Sequence, residues 1–229
     1  MSHHVAIIPA RSGSKRLKNK NLKILGNKSL ICWTIDAALR STTVDRVIVT
    51  TNCLDIKETA QAAGAEVPFI RPQSLAQDNS TTTDVIMHAS ETLGLKDDDV
   101  ISILQPTSPF RTEQHIDEAF ALLHSKHAEG IVSITTPKHH PLWSNALPED
   151  GCMQDFIKPS ILNKRSQDLP QYYSLNGAIY LYKVNAFYRE KGIFYSSRVF
   201  GYKMSPDHSL DIEDKYDFIT AQTLLSENF

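Results

Sequence analysis

Short runs of aliphatic and β-branched residues recur at 5–8 (VAII), 46–50 (RVIVT), 67–70 (VPFI), 100–104 (VISIL) and 131–135 (IVSIT), with helical patterns between them. That rhythm constrains the fold more than any other feature. Uninterrupted apolar runs read as strands covered on both faces, and their alternation with helices reads as βαβ units with right-handed crossovers. Leu30, Trp33, Thr34, Ala37 and Ala38 make one stripe of a helix over 30–39, and Ile116, Ala119, Phe120 and Leu123 make one over 112–124. The expectation is an α/β protein with a mostly parallel sheet, whose ligands sit at the carboxyl ends of the strands.

Beyond residue 136 the rhythm weakens. Pro137, Pro141, Pro148, Pro159 and Pro170, with Asp150-Gly151 among them, suit an extended arm or hairpin insertion over 137–172 better than another βαβ unit. Such an arm often packs on a partner subunit. A strand returns at 176–182 (NGAIYLY), and 214–225 reads as a closing helix with Tyr216, Ile219 and Thr223 at helical spacing. Without repeats, low-complexity tracts or linkers, the 229 residues read as a single domain, 1–229, with that appendage.

Composition narrows the partners. A formal charge of −2 argues against nucleic acid as the main partner. No apolar run approaches the roughly 20 residues of a membrane span, and MSHHVAIIPARSG lacks the long apolar region of a signal peptide, so a cytoplasmic protein without a membrane partner is expected. Cys32, Cys53 and Cys152 are odd in number and widely spaced, which suggests free thiols. The pairs His3-His4 and His139-His140 are sequence neighbours, which do not share a face, so they are not read as metal sites.

The strand at 5–8 breaks into a loop carrying Arg11, Lys15, Arg16, Lys18 and Lys20 with Ser12, Gly13 and Ser14. A buried strand ending in a Gly/Ser turn aims backbone N–H groups outward, and the adjacent cations neutralise a polyanion. Neither GxxxxGK[ST] nor GxGxxG occurs, which removes the Walker and Rossmann-fingerprint readings. A triphosphate could use Arg11, Ser14, Lys15, Lys20 and Asn21.

Three further segments carry chemistry. RPQSLAQDNSTTTD (71–84) leads into a helix near Asp84 with Thr82 or Thr83 as its cap, and Arg71, Ser80 and Thr82 suit a base or ribose. In LQPTSPFR (104–111), two prolines stiffen a loop that leaves Gln105 just past the sheet, with Arg111 pairing near the next helix start. In SLDIED (209–214), Asp211 and Glu213 flank Ile212 and in extended chain share a face, an arrangement suited to magnesium. The loops at 9–21, 71–83 and 105–111 each begin at a strand end and are expected to meet.

Taken in order, IIPARSGSKRLKNKN, RPxxLAQDxS, LQPTSPFR, NGAIY and SLDIE resemble the motifs of the CMP-sialic acid synthetases (acylneuraminate cytidylyltransferases) over nearly the full chain. The resemblance implies a Rossmann-like α/β fold of the nucleotide-diphospho-sugar transferase type with a small dimerisation arm. It implies transfer of CMP from CTP to the anomeric hydroxyl of a nine-carbon 2-keto sugar acid, with magnesium or else manganese, releasing pyrophosphate. A homodimer is the expected assembly.

Carried onto this chain, it implies that Arg11, Ser14, Lys15 and Asn21 hold the CTP phosphates, with Lys20 beside the reacting phosphate. Arg71, Ser80 and Thr82 would face cytosine and ribose. Gln105, Asn176, Tyr180 and Phe194 map to sugar-acid contacts, and Arg165, on the arm, to a neighbouring subunit's site. Arg11, Lys20 and Asp211 are the implied catalytic set, and Asp211 and Glu213 the metal ligands, the second replacing the family's usual aspartate. Competing readings are a CMP-legionaminate, CMP-pseudaminate or CMP-3-deoxy-manno-octulosonate synthetase and, outside enzymes, an inert nucleotide-binding regulator.

Overall fold

A computed structural model describes residues 2–227. In chain order the strands are β1 (His4–Pro9), β2 (Ile24–Leu25), β3 (Lys28–Ser29), β4 (Arg46–Thr50), β5 (Val100–Ile103), β6 (Gly130–Thr135), β7 (Ser174–Lys183) and β8 (Val199–Lys203). β2 and β3 form a small ribbon, and the other six form one sheet in the order β4-β1-β5-β7-β6-β8. β1 pairs parallel with β4 and β5, and β6 with β8, while β7 is antiparallel to both β5 and β6. The sheet is mostly parallel as expected, and the amino end of β7 shares an edge with the carboxyl ends of the other strands.

The helices are α1 (Leu30–Arg40), α2 (Leu54–Ala62), α3 (Thr82–Leu93), α4 (Glu113–Ser125), α5 (Val184–Arg189) and α6 (Lys215–Ser226). Alternation along β1 shows why the apolar runs are continuous. Ala6 and Ile8 pack with Ile31 and Ile35 of α1, Ile56 of α2 and Ile116 of α4, whereas Val5 and Ile7 pack with Ile86 of α3 and Phe187 of α5. Both faces are covered, so both sets of side chains must be apolar.

Three local expectations shift. VPFI (67–70) is not a regular strand: backbone pairing with the sheet is limited to the isolated bridges of Ile48 to Glu66, just before it, and Thr51 to Ile70. Pro68 has no N–H to continue a ladder, so the segment lies irregularly along the β4 edge. The cap of α3 is Thr81 rather than Thr82 or Thr83, because Asp84 three residues on completes a reciprocal capping box. In α6 the stripe of Tyr216, Ile219 and Thr223 faces solvent, while Phe218 and Ala221 turn inward onto Leu17, Leu25, Phe110 and Ile212.

Residues 136–173 contain no strand or α-helix, only 3-10 turns at Pro141–Trp143 and Ser166–Asp168, and expose Trp143, Leu147, Met153 and Leu162. Cys32, Cys53 and Cys152 are free. No helix among the described residues is long and apolar enough to cross a membrane.

One buried histidine gives the fold a pH dependence. His4 is 2% exposed, stacks on Phe120, and hydrogen-bonds through Nδ1 to the Thr43 carbonyl and through Nε2 to the Ser102 hydroxyl. Burial lowers its pKa from 6.5 to about 4. Between those values the unfolded chain binds a proton that the folded protein refuses, so stability is complete above pH 6.5 and falls as pH drops toward 4. Between pH 7 and pH 5 the expected loss from this site is about 2 kcal/mol. Denaturant titrations of wild type and His4→Asn should differ in pH slope by that amount, and equal slopes would count against this account.

Candidate functional site

The loops leaving one edge of the sheet enclose a cleft of about 420 Å³. The first wall follows β1 and is cationic: Arg11, Ser14, Lys15, Arg16, Lys20 and Asn21 line it. Gly13, at φ +83°, supplies the left-handed turn that folds the loop back. Leu17 is buried in the apolar cluster below and anchors the loop while its charged neighbours face the cleft or solvent. The Asn21 side chain donates to the Arg11 carbonyl at 3.0 Å, tying the end of the loop to its start. Lys20 Nζ donates to the Ile212 carbonyl at 2.9 Å and lies 3.6 Å from Glu213 Oε2.

The second wall is the loop before α3, where Arg71, Ser80, Thr81 and Thr82 line the cleft. Arg71 is 3% exposed, and its Nε and Nη2 have no hydrogen-bond partner. Burial first, then the positive charge of Arg11, lowers its pKa to about 10. A desolvated cation with spare donors is primed for an anionic or carbonyl-bearing ligand. The Ser80 hydroxyl is instead used within its loop, accepting from Gln77 N–H and donating to the Ser74 carbonyl.

The two walls meet through Asp78. Its Oδ1 accepts from Arg11 Nη2 at 3.0 Å and its Oδ2 pairs with Lys15 Nζ, while Arg11 Nη1 reaches the Ala76 carbonyl at 3.4 Å. The hydrogen bond from Lys15, then that from Arg11, holds the Asp78 carboxyl below the usual carboxylate range. One carboxylate thus occupies two cations of the loop.

The third wall, after β5, contributes Gln105, Pro106 and Thr107. Arg111 does not pair near the helix start. It is 1% exposed, its Nη1 donates to the carbonyls of Gln105 and Ala178, and burial lowers its pKa to about 9. It fastens the Gln105 loop to β7. The Thr107 carbonyl accepts from Ile212 N–H at 2.8 Å, and the Thr107 hydroxyl bonds the Asp211 carboxylate.

Between Thr107 and Lys20 runs the segment of Asp211 and Glu213. Ile212 is fully buried, which leaves its two acidic neighbours on the cleft side of the chain. Glu213 lines the cleft, and Asp211 sits half-buried behind it with Oδ1 unpartnered. Burial raises the Asp211 pKa. An orphaned carboxylate oxygen beside a second carboxylate fits a magnesium ion that takes its remaining oxygens from water and phosphate. Among the described residues no group of three or more His, Cys, Asp or Glu is arranged to hold a metal ion.

The implied sugar contacts are scattered. Gln105 lines the cleft and its Oε1 lies over Gly177, 3.6 Å from where a Cβ would stand. Tyr180 is half-buried on β7, its phenol pKa raised by burial and then by Tyr195 and Asp211. Asn176 is buried with its amide committed to Ser133, Ala178, Met204 and Ser209. Phe194 packs on Tyr182 in the core, and Arg165 points outward on the arm, paired with Asp168. Of these five residues Gln105 lines the cleft, and Tyr180, Asn176, Phe194 and Arg165 do not.

Asp78, Asn52 and Thr107 are functional candidates that motif reading passed over. Asn52 carried a signal, as a polar residue just past the carboxyl end of a parallel strand. Asp78 stood inside a recognised motif but gave no sign of its partners, which lie more than sixty residues away.

Residues 5–218 match the family model described as Cytidylyltransferase. The chain is 34% identical over 217 residues to an N-acylneuraminate cytidylyltransferase of Streptococcus agalactiae serotype V, covering 94% of this chain and 51% of that protein. It is 33% identical over 233 residues to a CMP-N,N'-diacetyllegionaminic acid synthase of Legionella pneumophila, covering 98% and 97%. The chain therefore spans about half the length of the streptococcal relative and nearly all of the Legionella one. A CTP-complexed CMP:2-keto-3-deoxy-manno-octonic acid synthetase superposes over 100% of both chains with TM-score 0.72 at 17% identity, which shows the same Rossmann-like fold.

Any phosphate that takes Arg11 and Lys15 must displace Asp78. Asp78→Asn is expected to bind inorganic tripolyphosphate roughly two- to tenfold more tightly than wild type at low salt, with the gain shrinking as ionic strength rises. Calorimetric titration at two salt concentrations checks this, and unchanged or weaker binding would show that Asp78 does not compete.

Proposed function

The chain belongs to the cytidylyltransferase family, and from that premise we propose that it activates a nine-carbon 2-keto sugar acid with CTP, yielding the CMP-sugar and pyrophosphate. The observation that carries the reading is the cleft itself, which unites Arg11, Lys15 and Lys20 with the unpartnered Nε and Nη2 of Arg71 and the Asp211–Glu213 segment. Such a cleft suits a triphosphate and a second anionic substrate.

In this reaction the anomeric oxygen of the sugar acid forms a bond to the α-phosphorus. The bond from that phosphorus to the bridging oxygen breaks, pyrophosphate leaves, and the hydroxyl proton passes to solvent. The obstacle is two anions approaching each other, so neutralisation and alignment supply most of the catalysis. Arg11, Ser14 and Lys15 would hold the outer phosphates, with Asn21 keeping their loop closed. Lys20, fixed by the Ile212 carbonyl, is aimed beside Glu213, where charge on the reacting phosphate is met.

Arg71 and Thr82 would face the nucleoside, and Ser80 would shape that wall through its loop hydrogen bonds. Gln105 and Tyr180 would face the sugar acid. Magnesium, held by Asp211 and Glu213, would supply charge neutralisation on the phosphates. The exposed apolar side chains of the arm suit a homodimer, which would carry Arg165 toward the partner's cleft. Residence in the cytoplasm beside the CTP pool belongs to the same reading.

Sugar choice has two leading candidates, because the relative matched along its full length makes CMP-N,N'-diacetyllegionaminic acid. Pyrophosphate release from CTP with magnesium should be measured with N-acetylneuraminic acid and N,N'-diacetyllegionaminic acid in parallel. Turnover of at least one is expected, and CTP binding without turnover of any nonulosonic acid would support an inert binder instead. Lys20→Ala and Asp211→Ala should lower kcat by about a hundredfold or more while leaving the protein folded. Full activity in both would remove these residues from the proposed site.

A further inference from the structure

We infer that Asn52 is a positioning residue for the phosphate-binding loop, acting through Ser12. The inference rests on the reading of the cleft as a triphosphate site. Asn52 stands two residues past the end of β4 and does not line the cleft, so any effect on a ligand must pass through a neighbour. Its Oδ1 accepts from Ser12 N–H at 3.1 Å, and its Nδ2 donates to Ser12 Oγ at 3.0 Å. The same Nδ2 reaches Gln73 Oε1 at 3.3 Å.

The grip on Ser12 matters because the next residue is the glycine that makes the turn. Gly13 has φ +83° and no side chain, and the space where a Cβ would stand is open to 4 Å. Glycine samples more backbone conformations than any other residue, and fixing it when an anion binds costs correspondingly more entropy. The far half of the loop is held by Leu17 in the apolar cluster and by the Asn21 bond to Arg11. On the near side, Asn52 holds the residue just before the glycine by both its N–H and its hydroxyl. Ser14 and Lys15, immediately beyond, are thereby presented to the cleft in a preset direction.

Ser12 N–H is consumed in this contact, so the amides free to meet a phosphate begin at Gly13. An amide side chain suits the task, since it accepts and donates at once and adds no charge that would compete for Arg11 or Lys15. The preset loop lowers the ordering cost equally in the bound substrate and in the transition state. Loss of Asn52 should therefore appear in KM for CTP and not in kcat.

The test titrates wild type, Asn52→Ala, Ser12→Ala, the double variant and Gln73→Ala with tripolyphosphate, CTP and cytidine, alongside steady-state kinetics and thermal melts. Asn52→Ala is expected to weaken tripolyphosphate and CTP about tenfold, raise KM for CTP to match, and leave kcat and cytidine affinity within about twofold. Ser12→Ala should lose less, the double variant no more than Asn52→Ala alone, and Gln73→Ala nothing. Should Asn52→Ala not fold, the loss in Ser12→Ala carries the test. Wild-type affinity for tripolyphosphate in Asn52→Ala, additive losses in the double variant, or an equal loss of cytidine binding would each overturn the inference. Wild type that binds neither CTP nor tripolyphosphate would overturn the triphosphate reading as well.

Discussion

Leu17, Phe110 and Ile212 come from three polar loops far apart in sequence, and all three bury in one apolar cluster with Leu25, Leu30, Phe218 and Ala221 beneath the cleft. The site depends on that cluster. Gathering Arg11, Lys15, Lys20 and Arg71 around one cavity opposes itself, since two like charges about 6 Å apart repel by roughly 1 kcal/mol in water and 3 kcal/mol near a protein surface. Burying one large aliphatic or aromatic side chain contributes about 1.5–3 kcal/mol. The loop of Arg11, Lys15 and Lys20 carries one such anchor in Leu17, and the two segments packed beside it carry Phe110 and Ile212, so packing opposes the repulsion that would otherwise spread them. The charged side chains can then be placed for a ligand rather than for their own stability.

What repulsion remains is met differently at each cation. Asp78 screens Arg11 and Lys15, and Glu213 lies close to Arg16, through exposed pairs that an incoming phosphate can replace at little cost, while the largely buried Lys20 lies between Glu213 and the Ile212 carbonyl. Arg71 and Arg111 are both buried without a carboxylate. Arg111 donates to two backbone carbonyls and has a structural task. Nε and Nη2 are without a partner in both, but Arg71 is the one of the two that lines the cavity, so its desolvation is the kind a ligand relieves. Sequence neighbours do not separate these two arginines; their surroundings do.

The strand rhythm made the sheet readable, because a strand buried on both faces has no choice but to be apolar, as Val5 to Ile8 show. The convergence of the 9–21, 71–83 and 105–111 loops was readable for the same reason, since parallel strands deliver their loops to one edge. VPFI misled because an apolar run at a sheet edge looks like a strand until the missing N–H of Pro68 is considered. Tyr216, Ile219 and Thr223 misled because α6 covers the apolar cluster with one large ring, Phe218, and leaves a second stripe in solvent. Asp78 and Asn52 could not be read locally at all, their meaning lying in partners brought near only by the fold.

Asparagine fastens one segment to another at three places. Asn21 closes the phosphate loop on the Arg11 carbonyl, Asn52 holds Ser12, and Asn176 joins Ser133 of β6 to Ser209, two residues before Asp211. The resemblance assigned Asn21 and Asn176 to ligands; Asn21 lines the cleft while donating to the Arg11 carbonyl, and the Asn176 amide is held by protein groups. A neutral amide is the side chain that can hold an N–H and a carbonyl together without altering the field of the site. A carboxylate in the same place would act as Asp78 does and compete for the cations, while a lysine or arginine would add to their repulsion. Where charge is reserved for the substrate, an uncharged fastener leaves the field of the cleft to Arg11, Lys15 and Lys20, while the charged fastener Arg111 is buried outside its lining.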